Sequence, residues 1–191
     1  MLRKRVSIMK SRTDITKQSF DAHWAGPHVP IVLALPGIQH YVQHHLVPDW
    51  AGGHPGIDGI AEVVFDAPES TPSNSHFSEV QAQDELAFVT AVTTMPVLLP
   101  VHRFAPFIVW VISREVPADV ASFTGDVLVD TRDTAQPVFG RPLLGTEPEP
   151  PGAMVSCGFE TLAEALDAAG VLAARAVPGE RIAVSESTRQ R

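Results

Sequence analysis

The chain has 191 residues, a length that suits one ordinary domain or two small ones. With 45% hydrophobic and 19% charged residues it can bury a core, which excludes wholesale disorder and a fibrous repeat. A formal charge of −8 repels phosphate backbones and anionic lipid, so neither nucleic acid nor membrane is expected as the main partner; a small molecule or another protein is. The single cysteine, Cys157, cannot close an internal disulfide or build a thiolate zinc site, and points to the reducing cytoplasm. The stretch Met1–Lys10 is too short and mixed for a signal h-region, and no later run approaches the roughly 20 apolar residues of a membrane span.

Strand and helix signals alternate along the chain, with proline and glycine at the joints. Val6 and Ile8 alternate with polar neighbours in a strand over 3–9, and Asp14 or Thr16 offers an N-cap for a helix beginning near Lys17. Pro27 and Pro30 remove two backbone donors, so this helix should bend or be rebuilt over 26–30 before Pro36-Gly37 ends it. Strands are expected over 38–47 and 57–65, on either side of a glycine- and proline-rich loop at 48–56. A Pro/Ser/Thr stretch at 68–75, a helix over 76–94 and a strand over 96–104 complete β-α-β-β-α-β. From Phe107 the pattern begins again: a strand over 107–113, a weakly helical segment over 117–133 and a strand over 138–144. After a stiff turn or linker at 147–152 come a strand over 153–159, a helix over 162–177 and a strand over 181–185, with 188–191 expected to fray.

The expected fold class is therefore α+β. Two ferredoxin-like β-α-β-β-α-β units lie in tandem, residues 1–105 and 106–191, the second degraded in its first helix. A four-stranded sheet with both helices on one face leaves the other face bare, and two such faces packed together would close an intrachain barrel. The cavity between the sheets would be the default ligand site.

All eight histidines (23, 28, 40, 44, 45, 54, 76 and 102) fall in the first 102 residues, so acid–base chemistry, if present, belongs to the first half. In the densest group, His40-Tyr-Val-Gln-His-His45, a strand places His40, Val42 and His44 on one face and Tyr41, Gln43 and His45 on the other. His40 and His44 with Glu62 could converge on a metal, but no HExxH or comparable spacing demands one, and no metal is expected. Glu62 stands between Ile60 and Val64 on one face of a predicted strand, a costly position for a carboxylate unless it is paired, functional or at the rim. No Gly-x-Ser-x-Gly elbow, dinucleotide-binding turn or Walker loop occurs, so no cofactor is expected.

Five short blocks agree in order and spacing with a known pattern: Phe20-Asp-Ala-His-Trp-Ala-Gly-Pro-His28-Val-Pro; Leu35-Pro-Gly; Tyr41-Val-Gln; Gly56-Ile-Asp-Gly-Ile-Ala-Glu62 with Phe65-Asp66; and Asp84 with Phe88. In these the chain resembles the EthD family of dimeric α/β-barrel proteins over about residues 1–105, while 106–191 match only in element order. The resemblance implies a ferredoxin-like fold whose sheets pair into a barrel, usually between two subunits; here the second half is expected to stand in for the second subunit, with a homodimer left open. It also implies a small, cofactor-independent enzyme acting on an aromatic, polyketide-like or lactone compound as a cyclase, dehydratase, decarboxylase or isomerase. A cofactor-free oxygenase, a non-catalytic module for a hydrophobic ligand and a haem-binding variant are the alternatives. Carried over by position, His28 is the acid–base candidate, and Tyr41 or His44 would bind an oxyanion. Trp24, Glu62, Asp84, Phe88 and His102 complete the expected substrate-binding set. The chain departs from the pattern at Pro27, unusual before a helical His28, and at His44, where Asn is expected, which points to an altered pocket.

Overall fold

A computed structural model describes residues 1–48, 50, 56–66, 79–98, 101–138, 141, 143–145 and 150–190. Eight strands form one antiparallel sheet: β1 (Leu2–Ser11), β2 (Ile38–Leu46), β3 (Gly59–Asp66), β4 (Val89–Val97), β5 (Phe107–Ser113), β6 (Asp126–Thr131), β7 (Ala153–Phe159) and β8 (Arg181–Gln190). Among the described residues four α-helices accompany them: α1 (Lys17–Ala25), α2 (His28–Leu33), α3 (Glu79–Glu85) and α4 (Leu162–Ala173). The strand order β4-β1-β3-β2-β8-β5-β7-β6 contains one arrangement twice, since each run of four strands lies in the order fourth, first, third, second. The two runs join edge to edge through β2 and β8, where Tyr41 lies opposite Gln190 and Leu46 opposite Ser185. The sheet curls until its outermost strands meet: Val97 bridges Arg132, Leu98 N–H donates to Thr131 at 3.0 Å, and Asp133 N–H donates to Pro96 at 2.9 Å.

Three apolar clusters follow from the two-residue alternation of side chains along these strands. Val6, Ile8, Ile60, Met95, Ile108, Trp110, Ile112 and Met154 come from both halves and fill the interior of the curl. Met9, Tyr41, Ala61 and Val92 face outward beneath Phe20, Trp24 and Val32 of α1 and α2. Val109, Val155, Cys157 and Val184 do the same beneath Ala165, Ala169 and Leu172 of α4, which recur at helical spacing on one face. A reciprocal cap starts α4, the Thr161 hydroxyl accepting from Glu164 N–H while the Glu164 carboxylate accepts from Thr161 N–H.

Several elements differ from the sequence expectation. Of the helix expected over 76–94, only Glu79–Glu85 is helical among the described residues; Val89–Val97 is a strand instead, so the strand expected over 96–104 lies earlier. Its β-branched run Val92-Thr93-Thr94 suits a pleated surface, and β1 supplies the hydrogen bonds, with Val6 opposite Met95. The segment 117–133 holds a single 3₁₀ turn and then strand β6, whose Val127 and Val129 pack on the α4 side of the sheet. The described residues of 138–144 form no strand. Residues 188–190, expected to fray, belong instead to β8, which continues to Gln190 because β2 presents an edge for it to complete; Arg191 lies outside the described residues. The Pro/Ser/Thr stretch at 68–75, His54, His76 and residues 147–149 of the expected 147–152 turn lie outside the described residues. No helix among the described residues is long and apolar enough to cross a membrane.

Candidate active site

The proline pair builds the site locally. Thr16 caps α1, its hydroxyl accepting from Ser19 N–H, and Gly26-Pro27 breaks the helix so that His28 becomes the first residue of α2. Pro30 is tolerated there because the N–H groups of a helix's first turn have no intrahelical partner. The break turns the His28 ring toward α3, where its Nδ1 lies 2.7 Å from Asp84 Oδ2, and the other oxygen of Asp84 is 2.9 Å from His23 Nε2. Phe88 packs against both imidazoles, with ring centroids 4.7 Å from His23 and 5.1 Å from His28.

His28 lines a narrow pocket between the outer face of β1–β4 and helices α1–α3, about 560 Å³ of atom-free space with its open mouth included. Its walls are largely apolar, among them Met9, Trp24, Val32, Ala61, Val63 and Val92. The polar lining is His28, Tyr41, Ser7, Thr94, Gln81, Glu85, Arg5 and Arg141. Because Asp84 is the acceptor for Nδ1, Nε2 is the ring nitrogen left for a ligand. Burial holds His28 below the ordinary imidazole range, against the opposing pull of Asp84, which favours the neutral ring. The phenol oxygen of Tyr41 accepts from Trp24 Nε1 at 3.0 Å and from Gln43 Nε2 at 2.9 Å. The same Gln43 amide nitrogen donates to the Trp24 carbonyl at 2.8 Å, which fixes its orientation. Two donors on its oxygen leave the Tyr41 hydrogen for another acceptor, and burial raises the phenol far above its usual range, so it stays protonated.

The remaining expected residues form a second, separate group inside the curl, where the space between the two halves of the sheet is packed with side chains. His44, Glu62 and His102 are not among the residues that line the pocket beneath the first half's helices. Alternation explains the split: Tyr41 faces the helices, whereas His44 and Glu62 face inward. Glu62 accepts from His102 Nδ1 at 2.8 Å and lies 3.3 Å from Lys4 Nζ, which also donates to Asp130 at 2.7 Å. His44 Nδ1 is 2.9 Å from Ser187 Oγ, and its ring meets Trp110 edge-on at 4.9 Å. Burial alone would raise Glu62, but the His102 hydrogen bond and the Lys4 charge outweigh it and hold the carboxyl at about 2. Burial pushes Asp130 up to about 6, against the pull of Lys4, and pushes His44 down to about 4. Among the described residues no group of three or more His, Cys, Asp or Glu is arranged to hold a metal.

Sequence reasoning did not single out Lys4, Arg5, Gln81, Glu85, Asp130, Arg141 or Ser187. A signal existed for Lys4, which shares the inward face of β1 with Val6 and Ile8. None existed for Arg141, whose place beside α3 depends on the second half of the chain.

No curated protein matches the chain. Residues 12–91, which supply His28, Tyr41, Asp84 and Phe88, match the family model of the EthD domain, and over that segment the chain is similar to this family.

Proposed function

We propose that the pocket beneath α1–α3 is the active site of a cofactor-independent enzyme that moves a proton on an aromatic, polyketide-like or lactone substrate, in an isomerisation, dehydration, cyclisation or decarboxylation. One observation carries this reading: a buried, neutral imidazole, oriented by a carboxylate through Nδ1, shares an apolar pocket with a protonated phenol. His28 Nε2 would take a proton from a carbon next to a carbonyl while Tyr41 O–H donates to the oxygen that gains charge. His28 would then return the proton to another atom of the substrate. Asp84 positions the ring and stabilises the imidazolium formed in passing. The repeated strand order supports reading residues 1–105 and 106–191 as two ferredoxin-like units, the second completing the barrel that a second subunit would otherwise supply.

The test is hydrogen exchange. Aryl ketones and aryl lactones are incubated with the protein in D₂O, and deuterium at the carbon next to the carbonyl is followed by NMR. Exchange on at least one compound should exceed the buffer rate by about 100-fold or more and collapse in His28→Gln. Exchange at the buffer rate across the panel, or a full rate in the variant, would refute the assignment; ligand bound but unexchanged would mark a binding module.

A further inference from the structure

Ser7 on β1 and Thr94 on β4 stand opposite each other in the pocket wall, and their hydroxyls share a hydrogen bond of 2.8 Å. Both residues are buried. Two hydroxyls carry two hydrogens, and the bond between them uses one. Whichever group accepts that bond keeps its own O–H, and among the described residues no further acceptor takes it. A buried donor without an acceptor costs free energy, and the space beside this one is the pocket. The pair also has a fixed place relative to Tyr41. Thr94, Ser7, Ala61 and Gln43 form one row across β4, β1, β3 and β2, and the Tyr41 hydroxyl lies at the β2 end of that row, 2.9 Å from Gln43 Nε2. Ser7 and Gln43 are therefore two strands apart, about 10 Å at the ordinary strand spacing. Between them Ala61, with only a methyl group, lines the same pocket. If each donor spans about 2.8 Å to its acceptor, about 4–5 Å separates the two oxygens they would hold.

We propose that the Ser7–Thr94 pair is a subsite for a second, neutral oxygen of the ligand, so that the pocket selects a ring compound with a carbonyl held by Tyr41 and a hydroxyl or carbonyl on the far side of the same ring. The inference rests on the pocket being the ligand site and deepens that reading by naming what else the ligand carries and where. The separation of the two oxygens is the span across one six-membered ring. Because either hydroxyl of the pair can donate to the other, the subsite offers a hydrogen to a carbonyl and can also accept one from a ligand hydroxyl. The apolar walls cover the carbon skeleton between the two polar ends.

The test compares 1-tetralone with racemic 4-hydroxy-1-tetralone, which share a skeleton and differ by one hydroxyl across the ring from the carbonyl, by isothermal titration calorimetry. The hydroxy compound should bind about three- to tenfold more tightly, the range for one neutral hydrogen bond. Ser7→Ala with Thr94→Val, checked for folding by circular dichroism, should abolish that preference while still binding 1-tetralone. Thr94→Ser keeps both hydroxyls and should retain it; a loss there overturns the subsite. Equal binding of the two probes by the parent protein overturns it whatever the variants do, as does a preference that survives in the folded double variant. These outcomes leave the pocket reading intact, since 1-tetralone still binds. If neither probe binds at millimolar concentration while the protein is folded, the pocket reading fails and the subsite fails with it.

Discussion

Replacing Lys4 with methionine tests a buried ion pair inside the curl. The Lys4 ammonium is fully buried between Glu62 at 3.3 Å and Asp130 at 2.7 Å, and so ties β1 to β6 across the two halves. Methionine fills nearly the same volume but leaves two buried carboxyls without their shared cation. Breaking such a contact on one side costs about 3–5 kcal/mol, against net stabilities of about 5–15 kcal/mol. The loss should also depend on pH with a definite sign. With Lys4 present, Asp130 lies at about 6, above its ordinary 3.8, so folding takes up a proton below that point and stability from this group rises as the solution is acidified. Without the cation the carboxyl moves higher still. Between about pH 8 and pH 6 the variant should therefore gain up to about 1.4 kcal/mol per pH unit relative to the parent, narrowing the gap. Urea denaturation followed by circular dichroism across this range measures both quantities, and adding Asp130→Asn should remove the slope. A loss under about 1 kcal/mol, or a gap that does not change with pH, would refute the shared-cation account.

Two further outcomes follow from packing. A Cβ added at Gly59 would lie 2.6 Å from Trp24 Cζ3 and 3.3 Å from Met9 Cε, so Gly59→Ala should cost about 1–3 kcal/mol and displace the indole from Tyr41; unchanged thermal stability and tryptophan fluorescence would contradict this. Burial pushes the Cys157 thiol up to about 11, so iodoacetamide at mildly alkaline pH should react far more slowly with the native protein than with the denatured one; comparable rates measured by mass spectrometry would show that β7 opens freely.

Some of this protein was determined by local sequence. Phe107–Ser113 and Ala153–Phe159 are strands because β-branched and apolar residues run between breakers, and α1 begins after Thr16 because a hydroxyl there satisfies an orphan N–H. His28, Asp84 and Phe88 were legible in the spacing of their blocks, as was the division of His40–His45 between two faces. Tertiary structure decided the rest. Val89–Val97 could continue a helix by its apolar spacing until β1 offers it a hydrogen-bonding edge, and Thr188–Gln190 are ordered only because β2 lies beside them. Period-two alternation says that Tyr41 and His44 face opposite ways, but not which face meets the helices. That choice placed the pocket outside the curl and turned His44, Glu62 and His102 into a buried network with Lys4 and Asp130. Arg141 reaches the pocket from the other half of the chain because the sheet curls. Contacts between residues 56 positions apart leave no mark in local periodicity, since they depend on how distant segments close on one another.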